Sequence, residues 1–178
     1  MWNKGLSYRE RHCLIEKNMN TKLNDDVNST IDKAEYNHSL GLVFFPAFDW
    51  KISETHPERQ ERLLYTRDQI VEEGLLDIPN IREYNPIVAD WDTIDRVHVG
   101  APDLESWVTE AHRVSAGGAI AAADAVMRGE VDRAFALVRP PGHHAMAMVH
   151  GIRGFCTINI EAVMIQHIRQ TYGINALP

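Results

Sequence analysis

The stretch that decides the fold is Ala134-Phe135-Ala136-Leu137-Val138-Arg139-Pro140-Pro141-Gly142-His143-His144-Ala145. Its first five residues are a short apolar run that reads as a buried strand. Two prolines and a glycine end that strand, because proline has no N–H to give a ladder, and they force a tight loop. The loop carries two adjacent histidines, a side chain whose unperturbed pKa lies close to neutrality. Gly154-Phe155-Cys156 follows ten residues after His144. Titratable groups on a loop that leaves a buried strand are the common layout of an α/β site.

Immediately upstream, Leu104 to Met127 reads as one long helix, since seven alanines at 111, 116, 119, 121–123 and 125 supply strong helix propensity. The Gly117-Gly118 pair inside it costs about 1 kcal/mol per residue relative to alanine. Such a pair indicates close packing of the helix against a sheet or another helix. Gly129 stops this helix. Nearer the N-terminus, Gly41-Leu42-Val43-Phe44-Phe45, bounded by Gly41 and Pro46, predicts a first buried strand. A loop with Asp49, Trp50 and His56-Pro57-Glu58-Arg59 follows, and proline is tolerated in a first helical turn, so a helix is expected from near Pro57. Leu63, Leu64, Ile70, Val71 and Leu75 give it one apolar face. Gly74 and Pro79 mark its end. Ile81 to Tyr84 predicts an edge strand, and Asp92 to His98 a short helix capped by Asp90 or Asp92. On the far side of the histidines, a last helix spans Asn159 to Tyr172 and ends at Gly173. Strands alternating with helices in this order imply an α/β layered domain with a parallel sheet.

Length and charge set the outer limits. The chain of 178 residues, 44% hydrophobic and 24% charged, suits one folded domain with a sizeable core. Residues 1–38 are polar, with turn signals at Asn24-Asp25-Asp26, and are expected to be a disordered extension; Met19 offers a second start. Residues 39–178 are expected to form the α/β domain. Eighteen Lys and Arg stand against 25 Asp and Glu, a formal charge of −7, which argues against a nucleic-acid partner. No apolar run approaches the roughly 20 residues of a membrane span. The first 20 residues lack the apolar core of a secretion signal, and the two cysteines, Cys13 and Cys156, make no paired motif. A cytoplasmic location in a reducing compartment is the expectation.

The run Arg139 to Ala145, followed by Gly154-Phe155-Cys156, resembles the signature of the zinc-dependent histone deacetylase superfamily, which includes acetylpolyamine amidohydrolases and acetoin-utilisation proteins. His56-Pro57-Glu58-Arg59 with Arg62 is similar to that family's first-loop motif, and Asp95-Arg96-Val97-His98 to its short helix before a rim loop. The resemblance runs from about Gly41 to the end. It implies a three-layer α/β/α sandwich around a parallel sheet, of the arginase/deacetylase kind, and hydrolysis of an acetyl amide with one zinc ion. By position, His143 and His144 match the catalytic pair: His143 stabilises charge or acts as general acid, and His144 is the general base. Phe155 matches an aromatic wall of an acyl-lysine tunnel, and the Gly154 carbonyl a substrate contact. Cys156 reads as a small buried residue rather than a nucleophile.

Departures from the signature qualify these expectations. Nine residues separate His144 from Gly154, a longer loop than usual, and His150 lies within it. After Cys156 the family shows an aromatic and paired asparagines, whereas this chain has Thr157-Ile158-Asn159. The zinc ligands of the family, an Asp-x-His pair and a later aspartate, have no match here and are expected beyond residue 178, so no metal ligand is assigned. A self-contained site from His144, His150 and Cys156 would need six-residue steps, which fit no common zinc spacing. The reading is therefore the N-terminal half of a deacetylase acting on acetyl-lysine or a small acetylated amine such as a polyamine. The alternative is a catalytically inactive module for binding or assembly, with a sheet edge open to homo-oligomer formation.

Overall fold

The computed structural model describes residues 38–99, 106–147 and 154–174, and for 106–108 the backbone alone. The N-terminal extension, Cys13 and His150 lie outside the described residues.

Three parallel strands form the sheet: β1 (Leu40–Phe45), β2 (Ile81–Tyr84) and β3 (Arg133–Val138), in the order β2-β1-β3. Leu40 pairs with Ile81 on one side and with Arg133 on the other, and the β1–β3 ladder continues to Phe45 opposite Val138. The helices are α1 (Gln60–Glu72), α2 (Trp91–Asp95), α3 (Ser106–Met127) and α4 (Ile160–Tyr172). Parallel strands joined through helices, with an apolar central strand, are what the sequence pattern requires of an α/β layered domain. The α/β layered class inferred above holds, built on a three-stranded parallel sheet.

Side-chain alternation decides what each face meets. Val43 faces α3, where a Cβ on Gly118 would lie 2.7 Å from Val138 Cγ1 and 3.5 Å from Val43 Cγ1. A Cβ on Gly117 would sit 1.9 Å from the Ile87 carbonyl oxygen. The glycine pair thus brings α3 against β3 on one side and the backbone before α2 on the other, as its cost in helix propensity implied. Phe44 points to the opposite face, where the Arg67 guanidinium of α1 lies 5.3 Å from its ring centre. The core sits under α3: Ala89, Ile94, Ala116, Ile120, Ile158, Ile160 and Val163 are buried together.

Helix ends follow local chemistry. Asp90 caps α2 by accepting from Thr93 N at 2.7 Å, which holds its carboxyl below the ordinary value. Asn159 caps α4 through Ala162 N, and Gly173 closes that helix in the left-handed region at φ 68°. At the far end of the α3–α4 pair, the buried carboxylate of Asp124 accepts from Arg128, His167 and Tyr172 at 2.6, 2.8 and 3.0 Å.

Two expectations need correction. Of the apolar face assigned to the first helix, only Leu63 is buried, while Val71 and Leu75 are 48% and 41% exposed. The helix starts at Gln60, after a turn through Pro57, and breaks at Gly74, whose φ of 67° takes Leu75 off the stripe. Spacing can predict a stripe but not whether a layer covers it. Strand β3, read as buried, lies at the edge of the described sheet. Phe135, paired with Leu42, is 55% exposed there.

Candidate active site

The site loops gather at the carboxyl ends of the parallel strands, the usual position in such sheets. Arg139 begins the site immediately after β3 and is fully buried. Its Nη1 donates to the carbonyls of Pro46, Ala47 and Trp50 at 2.7, 2.9 and 3.1 Å. Its Nε donates to Glu58 Oε1 at 3.0 Å, and its guanidinium lies 4.9 Å from the Trp50 ring centre. One cation therefore ties the loop after β1, the His56-Pro57-Glu58 turn and the end of β3. The loop after β1 curls back over the sheet end and leaves carbonyls pointing inward, and a buried guanidinium is the side chain with enough donors to satisfy them. Sequence reading quoted Arg139 and Glu58 only as motif letters. An arginine following an apolar strand was the available signal.

Beyond Arg139 the peptide to Pro140 is cis, and the Pro140 carbonyl accepts from the Ser115 hydroxyl of α3 at 2.7 Å. Gly142 lies flat against the next segment, since a Cβ there would be 2.5 Å from both Ile158 O and Ile160 N. This contact turns His143 and His144 outward, and both are exposed, with ring centres 4.1 Å apart.

Residues after the pair are pinned by a group whose role went unassigned in the sequence. His98, 2% exposed, accepts from Asn159 N through Nε2 at 2.9 Å, and its Nδ1 lies 2.9 Å from the Met146 carbonyl. That arrangement demands the neutral ring with the proton on Nδ1. Burial pushes the His98 pKa down, which favours the same form. Asn159 adds a bond from Nδ2 to Ala145 O at 3.0 Å, and Val99 N donates to Ala147 O at 2.7 Å. Two elements thus grip the same three residues. The Asp95 to His98 motif was visible, but a contact 48 residues away was not.

Gly154, Phe155 and Cys156 complete the cluster. Gly154 touches His144: at φ 53°, a Cβ on it would come within 2.5 Å of Nδ1. Phe155 is half-buried at φ 54° and meets the edge of the His56 ring at 5.0 Å between centres. His56 accepts from Glu58 N through Nδ1 at 3.0 Å. Cys156 is 1% exposed, and burial raises its thiol pKa, opposed by a backbone hydrogen bond from His144. The structure thus brings together all four residues singled out from the sequence, His143, His144, Gly154 and Phe155, with Cys156 beneath them.

The zinc ion implied by the resemblance can be tested against these donors. Among the described residues, His143, His144 and Cys156 are the one group of three possible ligands, their donor atoms within 4.8 Å of one another. It contains no carboxylate and uses both histidines. A metal-bound imidazole nitrogen cannot take up a proton, so this set does not fit a zinc ion that works beside a histidine base.

Fold and site together define a parallel α/β domain with a histidine-pair loop at the carboxyl end of its strands. Residues 102–176 match the model of the histone deacetylase domain. A probable deacetylase of Archaeoglobus fulgidus is 37% identical over 145 residues, 71% of this chain and 40% of that protein. The polyamine deacetylase HDAC10 of Mus musculus is 29% identical over 151 residues, 72% of this chain and 22% of that protein. Among solved structures, the HD domain of HDA15 superposes with a TM-score of 0.62 at 26% identity, covering 76% of this chain and 44% of that one. The chain belongs, over this part of the domain, to the histone deacetylase superfamily. It spans less than half the length of these relatives. No helix among the described residues is long and apolar enough to cross a membrane.

Proposed function

We propose that this chain supplies the proton-handling part of a zinc-dependent deacetylase that hydrolyses an acetyl amide on lysine or a small amine. The observation that carries the reading is the histidine pair, 4.1 Å between ring centres, held between a glycine-packed loop and Gly154. In this reading His144 takes the proton of the attacking water, and His143 steadies the developing charge and delivers a proton to the leaving amine. Phe155, braced on His56, flanks the acyl chain, and the Gly154 carbonyl accepts from the amide. Bound zinc would supply carbonyl polarisation and a more acidic water. None of the described residues is assigned to it as a ligand in this reading, and the 178 residues by themselves are expected to be inactive.

The test is hydrolysis of an acetyl-lysine peptide and an N-acetylpolyamine by the full gene product loaded with zinc. His144→Ala and His143→Ala should each lower kcat by roughly 10²–10⁴-fold, the range for a lost acid or base. Absence of hydrolysis, or hydrolysis that survives both changes, rejects the reading.

The open edge of β3 favours a second reading, a module that acts by association. Phe135 is 55% exposed on that strand, and a groove of about 430 Å³ between β3, α3 and α4 is lined by alanines with Met164 and Ile168. A chain that stays monomeric in a sizing experiment would reject it.

A further inference from the structure

We propose that His143, His144 and Cys156 form a binding site for a borderline-soft divalent cation of the zinc or cobalt type, separate from the zinc of the deacetylase reading. Two imidazole nitrogens and a sulfur are donors that such ions prefer, whereas magnesium and calcium require oxygen. With metal–nitrogen and metal–sulfur bonds of about 2.0 and 2.3 Å, a tetrahedral site needs its donors roughly 3.3–3.8 Å apart. The three donor atoms already lie within 4.8 Å of one another, so the imidazole nitrogens need to move by at most about 1.5 Å. The exposed imidazoles can make that move by rotating about their side-chain bonds, while the sulfur below stays fixed.

The backbone that carries the donors is held on both sides. Gly142 packs on Ile158 and Ile160, and His98 and Asn159 grip Ala145 to Ala147. Cys156 opens the buried run Cys156-Thr157-Ile158, so the floor of the site is packed into the interior. An ion arriving from solvent meets the two exposed histidines first and the thiol last. Three protein ligands leave a fourth position for water, the pattern of an open rather than a closed structural site. Binding displaces the thiol proton and withdraws both imidazoles from proton transfer. In the longer enzyme the ion would therefore inhibit hydrolysis, a consequence that depends on the deacetylase reading, whereas binding itself does not.

Cobalt(II) is the probe, titrated into the 178-residue chain carrying Cys13→Ser so that Cys156 is the single thiol. One equivalent should produce a thiolate-to-cobalt charge-transfer band and the intense visible bands of a four-coordinate ion, and zinc should displace it. Adding Cys156→Ser should abolish the charge-transfer band. His143→Ala and His144→Ala should each weaken binding roughly ten-fold or more. Absence of the band, or its persistence after Cys156→Ser, or affinities unchanged by both histidine substitutions, would overturn the site. Circular dichroism of each variant separates loss of a ligand from loss of fold. Because the readout is spectroscopic, an inactive enzyme with a normal cobalt spectrum would reject the deacetylase reading and leave this site standing.

Discussion

The two flanks of β3 are built on opposite principles. At its carboxyl end, Arg139, His98 and Asn159 satisfy carbonyls and amides from segments far apart in sequence, and glycines let backbones touch. Along its outer side the strand meets no partner among the described residues, and small apolar side chains line an open groove. The first flank is specified by directional bonds that leave little choice of geometry. The second is specified only by apolarity, which many surfaces would satisfy. Order at the site end therefore does not depend on how the outer flank is covered.

The sharpest way to break this contrast is Arg139→Met. Glu58 Oε1 and four carbonyls, of Pro46, Ala47, Trp50 and Glu58, lose their donor, and removing one partner of a buried ion pair costs about 3–5 kcal/mol. Chemical denaturation should show the chain unfolded or close to it. If the loss is under about 1 kcal/mol, the guanidinium is not the hub of this end. Gly117→Ala comes next, since a Cβ 1.9 Å from the Ile87 oxygen forces α3 away from the loop before α2. Overpacking of this kind costs about 1–3 kcal/mol, visible as a lower denaturation midpoint.

A smaller effect is expected from pH acting on His98. The folded ring has a lowered pKa, so the unfolded chain binds its proton more readily. The neutral ring's contribution is complete above the ordinary value of 6.5 and is lost as pH falls below it. His98→Ala should cost about 1–3 kcal/mol at neutral pH by leaving Asn159 N without an acceptor, and should flatten the stability profile below 6.5. An unchanged slope would mean that His98 is not the titrating group. The mildest change is Phe135→Lys on the open flank, where stability should shift by no more than about 0.5 kcal/mol. Sedimentation should instead show less self-association than the parent, and an identical profile would mean that this edge is not a pairing surface.

Legibility in the sequence divided along the same line. The β3 loop, the glycine pair, the cap at Asp90 (one of two aspartates offered) and the stop at Gly173 were readable because each depends on neighbours within a few residues or on a backbone geometry few residues can adopt. The histidine pair and Gly154-Phe155 were readable through the resemblance. Arg139 and His98 were not assigned roles, because their partners lie 81–93 and 48–61 residues away and no local pattern reports such contacts. Burial of the α1 stripe and of β3 was misjudged for a related reason. Apolar spacing shows which residues would share a face, and the presence of a covering layer is a property of the rest of the molecule.

The arginine hub also bears on where the domain can be cut. Residues 102–176, the stretch that matches the family model, contain Arg139 but none of its acceptors at Pro46, Ala47, Trp50 and Glu58. A fragment with those boundaries would carry a guanidinium with no place to go and a sheet without its central strand. The recognisable unit and the foldable unit are different lengths of chain. Any transplant of the histidine-pair loop into another scaffold must take with it a turn that precedes it by some eighty residues.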